Sequence, residues 1–585
     1  MPLTTRRASL SLAAALLLAG AGLASPALAV PHADEPSASS TRPAGVAAVT
    51  PGVGPVSVSI VVPLTVSPSE TGLLTAEELE RYTAPTGPLT RKLDAIIGTP
   101  VAIGVDPMIV ASIRVLGSSA PPSALQWLAR LEGAANESFP LAYADADLVA
   151  AARSDTLSGL TPSGFGFAID PDDFSPPAAP SPSPSPEPPA SADPDAAPPL
   201  PTTADVLAWT SSLPRIAWPV DATIGAGDIP PLVAAGYDRI LLSSDEVGSD
   251  ASPLVDLDGA RGIVADSTMN ALLRDALSSF TDADLAAALD ALEGGLAARA
   301  QVAPGRGLVL TVGRDWPFLM QGLPAALSRI QASADAQLVP LSDILGLTPT
   351  AAMLGDGEPT AERDAAFRDV RDDISAERLF STVLTDPAPL LDARTLERIA
   401  LYSVGWTKLP EAWTTAVEAF RTRSDEIRSS VKIEHGNDVV LLASSAGFRV
   451  AVSNALPYPV TVRVSVVPRS PILQVQGGAE LTVEPESTGT AYLPVQAVAN
   501  GQVLVESSLT SPTGVPIDSG FSRVTVQAEW EGIGTLVVVG LLVVIFGAGI
   551  VRLVLRRRKA RAAAADGADR DADADADADA EGTDG

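Results

Sequence analysis

The chain contains no cysteine among its 585 residues and only two histidines, His32 and His435. Without cysteine it has no disulfide, no thiolate metal site and no cysteine nucleophile. His32 falls in a polar leader and His435 begins a β-rich segment, so the long α/β segment between them has no histidine. A histidine-ligated metal centre and a Ser-His-Asp triad are therefore excluded from that segment.

Aromatic residues are scarce and acidic residues are in large excess. Aromatics make up 4% of the chain, and the formal net charge is −31. Alanine and valine must therefore supply much of the core volume. A surface this acidic repels phosphate backbones, so nucleic acid is not an expected partner. No strand carries a Gly-rich phosphate-binding loop, and we expect no cofactor.

Both ends of the chain carry targeting features. Residues 1–29 have a basic start, an apolar stretch and a small-residue cleavage site, which predicts a secretory signal peptide, followed by a flexible leader at 30–52. Residues 533–555 predict one transmembrane helix, so the lipid bilayer is an expected partner. The basic cluster at 556–561 follows it, which predicts a large extracytoplasmic part and a short, disordered, acidic cytoplasmic tail within 556–585.

Continuous apolar runs alternate with helical segments between residues 53 and 350. This pattern is typical of a buried parallel sheet, and the size predicts an α/β domain with a (β/α)8-type barrel that need not be regular or complete. The runs lie at residues 56–64, 100–106, 139–145, 215–221, 239–245, 262–267, 307–315 and 336–343. A proline-rich insertion at 172–203 should loop out of the barrel without order.

The periodicity changes after the barrel. Residues 357–430 read as amphipathic helices, and Pro410 stands at a first-turn position. Residues 431–529 alternate apolar and polar residues between turn signals, which predicts a β-sandwich of immunoglobulin or fibronectin type next to the membrane. The chain is therefore expected to be multidomain.

Several short motifs occur in a distinctive order along the chain. They are "VDP" at 105–107, "PLAYADAD" at 140–147, "WPVDATI" at 218–224, "IVAD" at 263–266 and "FRVAVSNALPYPVTVRV" at 448–464. In these motifs the chain resembles an uncharacterised family of actinobacterial single-pass membrane proteins, often encoded beside the lipid II flippase. The resemblance implies location and architecture rather than an activity. The barrel part also resembles, distantly, the barrels of polysaccharide deacetylases.

Acidic side chains fall at or just beyond the ends of the predicted strands. In barrels of this kind the active site lies at that edge, and two carboxylates at suitable separation hydrolyse glycosidic bonds. Candidate catalytic residues are Asp145, Asp106, Asp221, Asp266 and Asp315, with Asp147 and Asp245 at similar positions. Tyr143, Trp218 and Trp316 lie near the same rim and are candidates for stacking on sugar rings. If residues 143–147 stay extended, Tyr143, Asp145 and Asp147 share one face.

Helix capping is the competing interpretation of these aspartates. An aspartate at the end of a strand-to-helix loop commonly caps the next helix. Asp106 before Pro107, Asp147 and Asp266 all fit that pattern. With Asp147 as the cap, Asp145 is expected to be free to face the rim. Arg314, Asp315 and Trp316 read either as a functional cluster or as a salt-bridged loop with a packed indole.

Two functions follow from these patterns. The first is a membrane-tethered, extracytoplasmic protein that binds or scaffolds without catalysis, with a cell-wall glycan or a membrane protein of wall synthesis as its partner. The alternative is a carboxylate-based glycoside hydrolase or another glycan-processing enzyme on the barrel.

Overall fold

A computed structural model describes residues 54–175, 199–248, 251–314, 316, 321–358, 360–434, 438–527 and 531–568. Several predicted features lie outside these residues. They are the signal peptide at 1–29, the leader at 30–52, residues 176–198 of the proline-rich insertion, Asp315, both histidines and residues 569–585 of the tail.

The first sheet has nine strands, most of them parallel. They are β1 (Val56–Leu64), β2 (Ala102–Val105), β3 (Ser138–Pro140), β4 (Arg239–Ser243), β5 (Leu254–Asp256), β6 (Arg261–Ala265), β7 (Gly307–Thr311), β8 (Ala336–Leu338) and β9 (Thr350–Ala351). The apolar run at 56–64 forms β1 over its whole length. The predicted strand at 139–145 ends at Pro140, and the pattern gave no signal for the short strands β5 and β9.

The sheet curls, and its pairings lead back to the first strand. β1 pairs with β2, and β2 with β3. Residues 213–217 bridge β3 to β4 through the hydrogen bond from the Leu213 amide to Ser138 and through the pairing of Ala217 with Ile240. β4 then pairs with β6, β6 with β7, and β7 with β1.

The two faces of this sheet bury different apolar clusters, because successive strand residues point to opposite faces. One cluster takes a residue from each strand of the circuit: Val61, Ala102, Phe139, Leu241, Ile263 and Val309. The larger cluster takes the alternate positions, such as Ile60 and Leu242, and packs them against helices.

Helices cover the outer face of the sheet. They are α1 (Ala76–Thr83), α2 (Pro88–Ile96), α3 (Pro107–Val115), α4 (Pro122–Glu132), α5 (Leu148–Arg153), α6 (Thr203–Leu207), α7 (Ile229–Ala234), α8 (Ser244–Val247), α9 (Ser267–Leu277), α10 (Asp282–Val302) and α11 (Gly322–Ala332). The short helix α12 (Leu341–Leu345) instead buries Leu341 and Ile344 in the cluster that contains Val61. The starts of these helices follow local signals. Thr75 and Glu78, for example, form a reciprocal capping box at the start of α1.

Three further helices form a layer that packs against the carboxyl ends of the first strands. They are α13 (Ala361–Phe380), α14 (Ala388–Leu401) and α15 (Pro410–Arg428). The carbonyl of Tyr402, just after α14, accepts a hydrogen bond from the Asp147 amide. Inside the layer, Arg394 is buried and donates to Glu377 and to the carbonyl of Phe420.

Nine more strands form two sheets with one common apolar core. They are β10 (Val431–Glu434), β11 (Val439–Leu441), β12 (Ser445–Asn454), β13 (Val460–Pro468), β14 (Leu473–Val475), β15 (Ala479–Val483), β16 (Ser487–Ala497), β17 (Gly501–Thr510) and β18 (Pro516–Val526). The sheet orders are β10-β12-β16-β14 and β11-β18-β17-β13-β15. Most of the pairs are antiparallel and alternate buried with exposed residues, as in β16.

The last helix, α16, spans Glu531–Ala568. Its Leu536–Lys559 part has a mean hydropathy of 2.7 and is long and apolar enough to cross a membrane. This part overlaps the predicted transmembrane segment and is consistent with a membrane anchor. The helix continues through the basic cluster at 556–561 as far as Ala568.

Candidate functional site

The predicted site residues gather along one edge of the first sheet. The carboxyl ends of its parallel strands meet there, so the residues that follow each strand become neighbours although they lie far apart in sequence. Asp106 follows β2, and Asp145 follows β3. Trp218 and Asp221 follow the bridging segment at 213–217. Asp266 follows β6, and Arg314 and Trp316 follow β7.

Asp145 forms a two-point ion pair with Arg314. The Arg314 Nε–H donates to Oδ2 at 2.5 Å, and Nη2–H donates to Oδ1 at 3.0 Å. The same Nη2 also donates to the carbonyl of Trp218 at 2.7 Å, and the guanidinium carbon lies 5.0 Å from the Trp218 ring centroid. Burial raises the pKa of Asp145, while Arg314 opposes that rise. Asp145 is therefore not free at the rim, as expected from the sequence, but tied to a cation.

A tight turn aims Asp145 at Arg314. Tyr143–Asp145 form one turn of 3₁₀ helix, in which Ala144 and Asp145 have φ angles of 57° and 49°. The segment does not stay extended, so the shared face of Tyr143, Asp145 and Asp147 does not form. Left-handed backbone at two non-glycine residues is strained and persists only where surrounding contacts hold it. The next residue, Ala146, forms a backbone bridge with Ser403 of the helical layer, and this contact holds the end of the turn.

Asp106 lies deeply buried beside this turn. Its carboxylate caps α3 by accepting from the Met108 amide at 2.9 Å, and it also accepts from the amides of Ala144 and Asp145. Burial, with a contribution from the negative charge of Asp145, raises the pKa of Asp106 to about 8 despite these three bonds. The carboxyl group is therefore mainly protonated at neutral pH.

The capping interpretation is confirmed for three aspartates of this edge. Besides Asp106, Asp147 caps α5 through the amides of Val149 and Ala150. Asp266 caps α9 through the Met269 amide and forms an ion pair with Arg299 at 2.7 Å. These carboxylates are already engaged in holding helices in place.

The three candidate aromatic residues are buried. The Tyr143 hydroxyl donates to the carbonyl of Gly72 at 2.7 Å. Trp218 lies under Arg314, and the Trp316 ring has the Lys92 Nζ 5.5 Å from its centroid. The predicted salt bridge and packed indole of the loop after β7 are both present in its described residues, Arg314 and Trp316. A ligand-binding role for the three aromatics stays a prediction.

Acidic side chains remain exposed on the part of the edge that the helical layer does not cover. Asp221 and Asp245 are exposed, and Asp245 accepts from the Ser267 hydroxyl at 2.7 Å. Glu246 follows Asp245 directly, and the sequence interpretation missed it because it sits inside α8. Burial raises the pKa of Glu246 to about 7, with a smaller contribution from the charge of Asp221. Within the described residues no group of three or more His, Asp or Glu side chains is placed to hold a metal ion.

The comparison with protein families decides the classification. The family described as "Family of unknown function (DUF6049)" matches residues 44–574, which is most of the chain. The chain belongs to the DUF6049 family. No curated protein matches this DUF6049 chain at a significant level.

Solved structures give weaker similarities. The α-amylase AmyC from Thermotoga maritima is 11% identical and aligns over 64% of this chain and 92% of its own, with a TM-score of 0.39. The native α-2-macroglobulin of Escherichia coli is 15% identical over 17% of each chain, with a TM-score of 0.14. WR4, an MSP family member of Caenorhabditis elegans, is 5% identical over 17% of this chain and 98% of its own, also at 0.14. These TM-scores do not establish a common fold, and they carry no part of the functional argument.

Proposed function

We propose that this DUF6049 protein is a membrane-anchored, outward-facing cell-envelope protein that binds a wall glycan without changing it chemically. The apolar helix Leu536–Lys559 supplies the anchor. The basic residues at 556–561 favour a cytoplasmic position for the end that follows it. The motif resemblance implies a place in wall assembly, and from it we infer a wall glycan as the ligand.

The proposal includes the architecture. We assign the curled sheet to a (β/α) barrel type and the two later sheets to an immunoglobulin- or fibronectin-like sandwich. The return of the pairings to β1 and the separate apolar cluster on the inner face support the first assignment. Ligands of such barrels bind at the carboxyl edge of the strands, where the candidate residues gather.

The non-catalytic part of the proposal rests on the ion pair and the helix caps in which most carboxylates of this edge already take part. Acid–base hydrolysis of a glycoside needs two carboxyl groups that reach the substrate. Asp145 is held by Arg314, and Asp106 and Asp266 are buried helix caps. Asp221 and Asp245 remain exposed, and their oxygens are acceptors for sugar hydroxyl groups. Trp218, directly before this exposed part, is buried beneath Arg314, so we propose no aromatic contact through it.

Retention on purified peptidoglycan tests this proposal. The full-length chain in nanodiscs is sedimented with insoluble wall polymer, and the double variant Asp221→Asn/Asp245→Asn is compared with wild type. Asp335→Asn is the matched control, because Asp335 is exposed but precedes β8 at the opposite edge of the sheet. We expect retention to fall in the double variant only. Equal retention of all three chains excludes this edge as the binding face, and no retention at all directs the search to a protein partner.

A glycoside hydrolase is the second candidate, and one observation favours it. Burial raises the pKa of Glu246 to about 7, and the charge of Asp221 adds to that rise, although the Glu246 carboxylate also accepts from the Ser243 amide at 2.7 Å in the capping box of α8. An acid with a raised pKa beside a second carboxylate is the arrangement that glycosidases use. On this alternative, Glu246 is the proton donor and Asp221 the second carboxylate. The test is the release of soluble saccharide from the same polymer by wild type but not by Glu246→Gln.

A further inference from the structure

The β-rich unit formed by β10–β18 joins different partners at its two ends. At one end Val431, just after α15, pairs with Asn454, and Leu384 of the helical layer pairs with Val460. At the other end lies Val526, the last residue of β18, which pairs with Leu441 and Gly501. We call the end with Val431 and Val460 the far end, and the end with Val526 the near end.

Three loops surround Val526 at the near end. They are residues 442–444, 470–472 and 498–500, between β11 and β12, β13 and β14, and β16 and β17. Backbone hydrogen bonds tie them together, from the Ala497 amide to Ser444 and from the Val498 amide to Ile472. They therefore form one surface.

The chain leaves little distance between the near end and the membrane. Only residues 527–530 separate Val526 from the start of α16 at Glu531. Even fully extended, this connection spans at most about 18 Å. The apolar span begins at Leu536, about 8 Å further along the helix. The far end is a strand length away, since the eleven residues of β16 extend over about 37 Å.

The near-end loops expose apolar side chains close to the start of the membrane helix. Leu442 is 66% exposed and Val498 is 49% exposed. In a chain with a net charge of −31, none of the three loops contains an acidic residue, and the adjacent Arg469 is exposed and forms an ion pair with Glu506. Of the far-end loops, the one between β15 and β16 carries the exposed Glu484 and Glu486, whereas residues 455–459 and 511–515 lack acidic residues as well. Exposed apolar side chains on loops that lack acidic residues suit a lipid surface better than water.

We propose that the near end docks on the outer leaflet of the bilayer, with Leu442 and Val498 inserted at the level of the headgroups. The proposal rests on the membrane anchor in the proposed function and adds a second contact beside it. Docking restricts the tilt of the β-rich unit, so that the strands hold the helical layer and the first sheet away from the lipid.

Single labels can test this docking, because the native chain has no cysteine. Full-length Leu442→Cys and Val498→Cys carry an environment-sensitive fluorophore in nanodiscs of phosphatidylglycerol and phosphatidylcholine with a quencher on the acyl chain. Thr488→Cys is the matched control, because Thr488 is exposed at the far end of β16, the strand that leads to Val498. Ile545→Cys reports the anchor itself.

We expect quenching by the lipid at positions 442, 498 and 545, and none at 488. Quenching at 545 alone overturns the docking proposal while leaving the anchor intact. Loss of quenching at 545 refutes the anchor, and with it the membrane part of the proposed function.

An added charge gives an independent test in the Val498→Cys chain. Leu442→Asp should reduce quenching of the label, because it places a carboxylate at the lipid surface. Phe521→Asp is its control, since Phe521 is an apolar residue on the side of β18 that is 53% exposed. Equal effects of the two substitutions would contradict docking through the near end.

Discussion

Arg314 and Asp145 are 169 positions apart in the chain and form a buried two-point ion pair at the carboxyl edge of the first sheet. The pair joins the residues after β3 to those after β7, and the Trp218 carbonyl extends it to the bridging segment. The first candidate for a catalytic carboxylate, Asp145, is therefore held in a structural ion pair.

Removal of the cation should be costly. Arg314→Ala leaves Asp145 buried without a partner, so we expect the free energy of unfolding to fall by about 3–5 kcal/mol. Urea unfolding followed by tryptophan fluorescence measures this loss. The double variant Asp145→Asn/Arg314→Gln removes both charges and should lose less than the sum of the single variants. Strictly additive effects would show that the two side chains do not interact.

Asp106 should make stability depend on pH. Its pKa is about 8 in the folded chain against 3.8 for the free side chain, so between these values the folded state holds the extra proton. The contribution of Asp106 to stability is therefore fully present below about pH 4 and is lost as the pH rises towards 8. Asp106→Asn cannot ionise and should show a shallower decline between pH 5 and 8. If the urea midpoints of wild type and Asp106→Asn changed with pH in parallel, burial would not be raising the pKa of Asp106.

Two substitutions of Asp266 distinguish a role in capping α9 from a role in ligand binding. Asp266→Ala removes the acceptor for the Met269 amide and should cost about 1 kcal/mol, whereas Asp266→Asn keeps an acceptor and should cost less. Neither change should alter retention on peptidoglycan. If the Asn variant keeps its stability but loses retention, Asp266 contacts the ligand.

Gly72 tests the contact between the helical layer and the edge. Its φ is +72°, and an added Cβ would lie 2.5 Å from the carbonyl oxygen of Leu396. Gly98 has a similar φ of +77° but open space around the added atom. Both alanine variants carry the backbone strain, about 1 kcal/mol. Gly72→Ala should unfold at a clearly lower temperature than Gly98→Ala. Equal decreases in the unfolding temperature would show that the helical layer shifts to make room for the added methyl group at little cost.

Local patterns predicted the local parts of this structure. The apolar run at 56–64 became β1 without change, and the Asp-Pro and Asp-helix junctions gave the caps at Asp106, Asp147 and Asp266. Each of these depends on a few adjacent residues, whose preferences are readable from sequence.

Long-range relationships were not readable in the same way. Nothing near Asp145 indicates Arg314, and the turn at Tyr143–Asp145 interrupts what reads as a continuing strand. The amphipathic helices at 357–430 were predicted, but not that Tyr402 and Ser403 would cover the residues after β3. This covering decides which carboxylates are buried and which, such as Asp221, stay exposed.

The mass of the sugar products is the most direct test of the central claim, that this edge binds glycan without cleaving it. The full-length chain in nanodiscs is incubated with peptidoglycan and with lipid-linked precursor, and the soluble fraction is analysed by mass spectrometry beside Glu246→Gln. We predict retention of the protein on the polymer and no new saccharide mass with either chain. A saccharide released by wild type and absent with Glu246→Gln would contradict the account and make the protein a glycoside hydrolase.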